Sequence, residues 1–266
     1  MSAGRCPSPG GGSTDFNWRK PDFGREKPGM GEIEEEYGAD TTYCEWLAKT
    51  RWGAYIHEVE ERAIMVGHRA CGRVDDAMEI GCEGGRWCRM LDRLGWRISC
   101  TEVNPGWLDV CKRRLTDARY VLVGPQESEF PAADRSVTLL LCVGVPPAIQ
   151  SDRFISEAFR VLKPGGLLVG TFWNLVSIRG ALLHSIAVGS RGPSQYRFSY
   201  PAWRHRLCAT GFSLLHQEGY CWFPFRRASN SRFVALAVGL EKLLGLRRLP
   251  SVSPWVAFVA KKGDHD

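Results

Sequence analysis

One short turn holds the residues best able to do chemistry. It reads Glu79-Ile80-Gly81-Cys82-Glu83-Gly84-Gly85-Arg86-Trp87. Gly81 lets the backbone turn sharply and lets a ligand approach it. Gly85 permits close strand–helix packing, and the helix that follows presents free N–H groups. On its own the turn suits a plain tight connection equally well. Glu102 lies 21 residues after Gly81. A carboxylate there, closing a second strand, accepts hydrogen bonds from both ribose hydroxyls of a nucleoside. The spacing is not that of a dinucleotide fingerprint, because Glu83 takes the second glycine's place. Glu79, two residues before Gly81, repels a pyrophosphate and suits a ligand carrying ammonium and sulfonium charges.

Those residues meet only if strands and helices alternate around them. Asp76 to Ile80 reads as a strand that ends in the glycines. Trp87, Met90, Leu91 and Leu94 then follow helical spacing. Strand patterns recur at Trp96 to Thr101, Tyr120 to Val123 and Val137 to Cys142, the last apolar enough for burial on both faces. Helical patterns recur at Trp107, Leu108, Cys111 and Leu115, and at Phe154, Ile155, Ala158, Phe159 and Leu162. Lys163-Pro164-Gly165-Gly166 breaks the latter before a strand from Leu167 to Thr171. Residues 43–66 read as one helix, or two if Gly53 interrupts it. Pro201 to Ala209 reads as helix and Phe212 to His216 as strand. Residues 217–254 read as irregular around a helical pattern from Arg232 to Leu246, and Val256 to Ala260 is a final strand. Strict alternation implies an α/β fold: a seven-stranded, mostly parallel sheet, helices on both faces, and an antiparallel C-terminal edge strand.

Composition sets the outer bounds. The 266 residues are 44% hydrophobic and 24% charged, which excludes disorder throughout. Residues 1–40 are expected to be a flexible tail, since 1–30 carry 13 Gly, Pro and Ser. One domain is expected over 41–262, with cap helices at 41–70 and an insertion or cap at 220–254. No apolar run reaches the roughly 18–20 residues that span a bilayer, and no secretory leader is visible. A cytoplasmic protein is therefore expected. Its ten cysteines form no Cys-x-x-Cys pair, so reduced thiols and no metal are expected. The net charge of +6 hides an asymmetry, because residues 175–266 hold 13 Lys/Arg against 4 Asp/Glu. That excess suits a substrate surface.

The charge of the turn favours S-adenosylmethionine as the nucleoside ligand. The chain resembles the class I S-adenosylmethionine-dependent methyltransferases, which have a Rossmann-like sheet. It is most similar to their ubiquinone/menaquinone-biosynthesis-like (methyltransferase type 11) branch. Glu79-Ile80-Gly81-Cys82-Glu83-Gly84-Gly85 resembles the family's Asp/Glu-x-Gly-x-Gly-x-Gly. Thr101-Glu102-Val103-Asn104 resembles its ribose-binding segment. Phe130-Pro131-Ala132-Ala133-Asp134-Arg135-Ser136 resembles the loop before its fourth strand. Phe159-Arg160-Val161-Leu162-Lys163-Pro164-Gly165-Gly166, the most specific match, resembles its turn into the fifth. Ala209-Thr210-Gly211-Phe212 and the stretch from Tyr43 to Gly53 resemble its entry to the sixth strand and its cap helix. The resemblance covers Tyr43 to Lys262.

It implies that Glu79, Gly81, Cys82 and Gly85 hold the methionine part, that Glu102 binds ribose and that Val103 packs on adenine. Cys142 would lie under the methyl group. Two departures stand out. Glu83 replaces a glycine, and the family's adenine-binding Asp is absent from Gly124-Pro125-Gln126-Glu127. Gln126 offers a carbonyl oxygen for the same bond, with Glu127 as the fallback.

The resemblance implies methyl transfer by in-line displacement, which needs alignment more than a catalytic motif. Val145-Pro146-Pro147-Ala148 lacks the amide and aromatic of the amino-methylating tetrapeptide. Trp173 and Asn174, after the fifth strand, are candidate acceptor contacts, although Trp173 suits the core equally. His184 is the weak candidate for a base, and His57 and His68 read as surface residues. The expected acceptor is a small apolar or amphipathic molecule: a quinone, lipid or secondary metabolite. An RNA methyltransferase using the basic C-terminal part, or a non-catalytic cofactor-binding protein, are the alternatives, and no nucleic-acid partner is expected. Residues 233–248 form either a cap helix or an amphipathic helix for peripheral membrane contact.

Overall fold

The computed structural model describes residues 41–124, 127, 129–189 and 196–264. The expected tail at 1–40 and Gln126 lie outside these described residues.

Two helices lead the described residues: α1 (Tyr43–Ala48) and α2 (Arg51–Ala70). Thr42 caps α1 in a reciprocal box with Glu45, and Thr50 caps α2. The break falls at Lys49 and Thr50, not at Gly53. Gly53 is needed for another reason: a Cβ there would lie 1.8 Å from the Leu47 carbonyl oxygen. A close helix-to-helix corner therefore excludes any side chain.

The alternating part follows as β1 (Asp76–Ile80), α3 (Arg86–Arg93), β2 (Arg97–Glu102), α4 (Pro105–Arg114), β3 (Ala118–Leu122) and β4 (Val137–Cys142). Then come α5 (Pro146–Ile149), α6 (Phe154–Val161), β5 (Leu162–Trp173), α7 (Ile178–Gly189) and α8 (Tyr200–Ala209). The chain ends with β6 (Phe212–Tyr220), α9 (Val234–Leu243), a 3-10 turn at Leu246–Arg248 and β7 (Trp255–Lys262). The seven strands form one sheet in the order β3-β2-β1-β4-β5-β7-β6. All pairs are parallel except those of β7, which runs antiparallel to both β5 and β6. The last strand in sequence is thus inserted inside the sheet, and β6 takes the edge.

Side-chain alternation splits the core between the two sheet faces. Ala77, Leu139, Leu141 and Val169 pack under α2, α3 and α4. Met78, Leu140, Cys142 and Phe172 pack against α5, α6 and α8. β6 runs to Tyr220, beyond His216, because its whole length pairs with β7. Residues 217–254 are therefore ordered further than their composition predicts. Helices α5 and α7 are additions to the elements expected from sequence. The strand order reverses between β1 and β4, which opens a crevice at their carboxyl ends.

Candidate functional site

The crevice is walled at the end of β1 by the glycine turn. Gly81 (φ 72°) and Gly85 (φ 76°) both take the left-handed conformation. A Cβ on Gly81 would meet the Val145 side chain at 2.8 Å, and one on Gly85 would meet Cys111 Sγ at 2.5 Å. Glu83 takes the same left-handed region at φ 51°. The residue that replaces a glycine thus keeps a glycine's backbone, which costs about 1–2 kcal/mol for a side-chain-bearing residue. Part of the compensation is visible, since the Glu83 N–H donates to Glu102 Oε2 at 2.8 Å.

Glu102 is buried at the end of β2. Its Oε1 accepts the N–H groups of Val103 and Asn104 at 2.9 and 3.1 Å. Of about four lone-pair positions on a carboxylate, these bonds use three. One position on Oε2 remains unused by the described residues. Glu102 therefore does two things: it pins the turn through Glu83 and presents an acceptor edge to the crevice. The space it borders is about 530 Å³ and is lined by Ile80, Gly81, Thr101, Glu102, Val103 and Val123, then by Glu127, Glu129, Phe130, Pro131 and Val145. The structure thus gathers Gly81, Glu102, Val103 and Glu127 from the sequence reading. Glu127 also closes the turn after β3 by accepting the Gly124 N–H. Val123, Phe130, Pro131 and Val145 supply walls to which the sequence reading assigns no contact role, although Phe130 and Pro131 open the family-like loop before β4. Their signal was present, because all follow strands β3 and β4 or fill the loop between them. An apolar slot ending in a carboxylate fits a nucleoside with free ribose hydroxyls.

Four of the predicted contacts point elsewhere. Glu79 shares a face of β1 with Ala77 and lies under α3, where it accepts a hydrogen bond from the Cys88 thiol at 2.9 Å. Burial pushes its carboxyl up to about 8. It does not border the crevice. Cys82 is buried beneath the turn with Cys88, Cys100 and Cys111. Gly85 packs on Cys111 and serves the turn, not the crevice wall. Cys142 is fully buried on the opposite sheet face.

The cap helices close over the turn. Arg114 of α4 donates to the Gly84 carbonyl at 2.7 Å and grips Glu45 of α1 with two bonds of 3.0 and 2.8 Å. Behind this clamp, Arg86 bonds Glu60 at 3.1 Å and His57 Nδ1 at 2.9 Å. His57 stacks on Trp87 at 4.7 Å. Burial, then the Arg86 charge, lower its pKa from 6.5 to about 4. It is a packed, neutral residue, not the surface histidine expected. His68 likewise accepts from the Trp96 indole at 3.1 Å.

The end of β5 is more closed than expected. Trp173 is buried and stacks face to face on Trp255 at 4.8 Å. Asn174 is fully buried, and its amide is spent on the backbone. Nδ2 donates to the carbonyls of Ser251 and Ser253, while Oδ1 accepts from Val176 and Tyr200. Its assignment as an acceptor contact is corrected: it ties three chain segments together. His184 lies on α7, outside the lining of the crevice. Two other side chains meet this wall. The guanidinium of Arg227 lies 5.3 Å from the Trp255 ring and 5.8 Å from Trp173, and that of Arg179 lies 5.7 Å from Trp255. Arg227 Nε and Arg179 Nη1 are buried and have no hydrogen-bond partner among the described residues. Arg227 also lines a cleft of about 250 Å³ with Cys44, Leu47, Gly53, Ile56, Glu60 and Arg86. No sequence motif marks this pair of arginines, because they come from α7 and from the segment before α9.

The sheet order, the left-handed turn and the strand-end carboxylate match the Rossmann-like fold of methyltransferases. Residues 78–170 match the family described as a methyltransferase domain. Rat thiol S-methyltransferase TMT1B is 29% identical over 134 residues, 48% of this chain and 50% of the relative. Malonyl-acyl-carrier-protein O-methyltransferase from Serratia marcescens is 27% identical over 44% of each chain. The chain thus spans about half the length of the curated relatives it matches. A geranyl diphosphate C-methyltransferase structure from Streptomyces coelicolor shares the fold with a TM-score of 0.56, at 17% identity and 79% coverage of both chains.

Proposed function

We propose that this chain transfers the methyl group of S-adenosylmethionine to a small amphipathic acceptor that carries an anionic group. The crevice at the strand-order switch, with the Glu102 carboxylate on its apolar wall, carries the cofactor half of the reading. The bound sulfonium supplies an already activated methyl group. The chain's own residues then align and dry the site. Val103, Val123 and Phe130 sandwich a planar base, and Glu102 takes a ribose hydroxyl.

The acceptor half rests on the Trp173–Trp255 stack and the two arginines beside it. Two buried guanidinium N–H groups without partners among the described residues suit a carboxylate or phosphate, which restores the bonds that burial has removed. Relatives of this chain are named as thiol, malonyl-acyl-carrier-protein and demethylmenaquinone methyltransferases. They support a small molecule and leave the methylated atom open. The exposed apolar faces of α7 and α9 beside arginines extend the reading to an acceptor drawn from an anionic membrane surface.

Calorimetry with S-adenosylhomocysteine tests the first half. Wild type is expected to bind, and Glu102→Gln to bind about tenfold or more weakly, the value of one charged hydrogen bond. Equal binding by both proteins refutes the ribose assignment. Radiolabelled S-adenosylmethionine tests the second half with paired aromatic acids and their neutral amides. Label is expected in acids alone, and Arg227→Ala is expected to raise KM far more than it lowers kcat. Preference for the amides overturns the anionic acceptor and leaves the cofactor result standing.

A further inference from the structure

Beneath the cofactor turn, four cysteines converge from four different elements. Cys82 comes from the turn, Cys88 from α3, Cys100 from β2 and Cys111 from α4, and all four are buried. The sulfurs of Cys82, Cys100 and Cys111 lie within 4.8 Å of one another. Cys88 Sγ lies 3.1 Å from Cys100 Sγ, and Cys100 Sγ lies 3.6 Å from Cys111 Sγ. None of the four lines the nucleoside crevice. We propose that Cys82, Cys88, Cys100 and Cys111 form a structural tetrathiolate site for a thiophilic divalent cation, with zinc as the expected occupant.

The distances favour a shared ion over simple packing. Buried cysteines often serve as small hydrophobes. Packing alone does not require them to meet, whereas three sulfurs from three elements here lie within 4.8 Å of one another and a fourth, that of Cys88, accepts a hydrogen bond from Cys100 at 3.1 Å. Zn–S bonds of about 2.3 Å at tetrahedral angles place sulfurs about 3.8 Å apart. The Cys88–Cys100 and Cys100–Cys111 separations of 3.1 and 3.6 Å are shorter than that value, so an ion would draw these pairs apart, with Cys82, Cys100 and Cys111, whose sulfurs lie within 4.8 Å of one another, as its first three ligands and Cys88 as the fourth. Four protein thiolates make a closed coordination shell with no open position, which is the pattern of a structural site.

The chemistry balances without any oxidant. Each S–H bond is replaced by an S–Zn bond, and the four protons leave to solvent while the metal stays divalent. Cys88 gives up the hydrogen bond it donates to Glu79 Oε2, and the resulting negative charge lies near Arg114, whose guanidinium bonds the Gly84 carbonyl of the same turn at 2.7 Å. The placement gives the ion a purpose. Cys82 is part of the turn, and Gly85 rests against Cys111. A metal held here fixes the turn from below as Arg114 fixes it from above.

The test is metal content of the full chain, purified under reducing conditions without chelator. Mass spectrometry of the metal is expected to find about one zinc per chain. Replacement by cobalt is expected to give thiolate-to-cobalt charge transfer in the near ultraviolet and the visible bands of a tetrahedral ion. Cys100→Ser and Cys111→Ser are each expected to lose the metal, while Cys208→Ser, at an exposed thiol, keeps it. If the core variants fail to fold, the cobalt spectrum of wild type still decides. A reduced wild-type protein that takes up no zinc and shows no cobalt thiolate band overturns the proposal. So does an intact mass two hydrogens short with Cys88 cross-linked to Cys100, which makes the pair a disulfide. Binding of S-adenosylhomocysteine is measured separately, so a metal-free protein that still binds it refutes only the metal site.

Discussion

Glu83 shows how a single residue departs from a family pattern without losing its geometry. Its left-handed backbone at φ 51° is the one a glycine adopts freely. Glu83→Gly removes about 1–2 kcal/mol of backbone strain and restores most of it as extra freedom in the unfolded chain. The variant is therefore expected to melt within a few degrees of wild type. Glu83→Val, β-branched and unsuited to that region, is expected to melt several degrees lower. Differential scanning calorimetry of the pair separates backbone strain from any role of the carboxylate. His57 offers a second test at this scale. Its folded pKa is about 4 against 6.5 unfolded. Between those values the unfolded chain binds the proton and the folded chain does not. Stability contributed by a neutral His57 is thus complete above pH 6.5 and is lost as the pH falls toward 4. Urea titrations across that window are expected to show a shallower slope for His57→Gln. At this scale the sequence made Gly81, Glu102 and Val103 legible, because they sit at strand ends. It hid the direction of Glu79 and the meeting of the four cysteines. Those depend on the pairing of Glu79 with Cys100 across β1 and β2, which no spacing within one segment encodes.

At the level of elements, the site is held by contacts between pieces far apart in sequence. Arg114 joins α4 to α1 through Glu45 and to the glycine turn through Gly84. Gly84 has no room for a side chain under this lid, since a Cβ would lie 2.2 Å from Thr42 Cγ2. Arg114→Ala leaves the Gly84 carbonyl without its donor and Glu45 with only the longer Arg89 contact of 3.7 Å, a loss of about 2–4 kcal/mol for a partly buried bidentate pair. It is expected to raise hydrogen exchange in α1 and weaken S-adenosylhomocysteine binding, while exchange in β4 and β5 stays unchanged. Exchange rising uniformly across the sheet contradicts a local clamp. Elements were legible wherever apolar periodicity was strong, as in β4 and α6. They were missed where pairing decides instead. Polar Gln217 and Glu218 read as loop, yet both lie in β6 because β7 supplies a partner along its whole length. The end of the first cap helix was misplaced for the same kind of reason. Gly53 looked like a breaker, but it serves a close approach to Leu47 inside α2.

Across the whole molecule, the charge asymmetry acquires a place. The basic third of the chain builds β6, β7 and the elements beside the Trp173–Trp255 wall. It also carries exposed apolar side chains. Ile178 and Leu182 project from α7, while Phe233, Leu236, Leu243 and Leu244 lie exposed along or beside α9. Arg226, Arg232, Lys242 and Arg248 belong to the same stretch of chain. No described helix is long and apolar enough to cross a membrane. A ten-residue helix such as α9, about 15 Å long, can instead lie in the plane of the headgroups with its outer face in the acyl boundary. Its inner face is already committed, because Val234, Ala237 and Glu241 are buried and Glu241 accepts from Tyr55. Binding therefore needs no unfolding, only contact by the face left exposed. Each Lys or Arg near an anionic surface adds about 1 kcal/mol, and that part is screened by salt. Co-sedimentation is expected with vesicles containing phosphatidylserine and not with pure phosphatidylcholine. It is expected to fall as sodium chloride is raised, and Leu243→Asp with Leu244→Asp should abolish it without changing S-adenosylhomocysteine binding, because neither residue borders the crevice. Equal sedimentation with neutral vesicles makes the contact hydrophobic alone. No sedimentation with anionic vesicles at low salt leaves the arginines to the acceptor and removes the membrane from the reading.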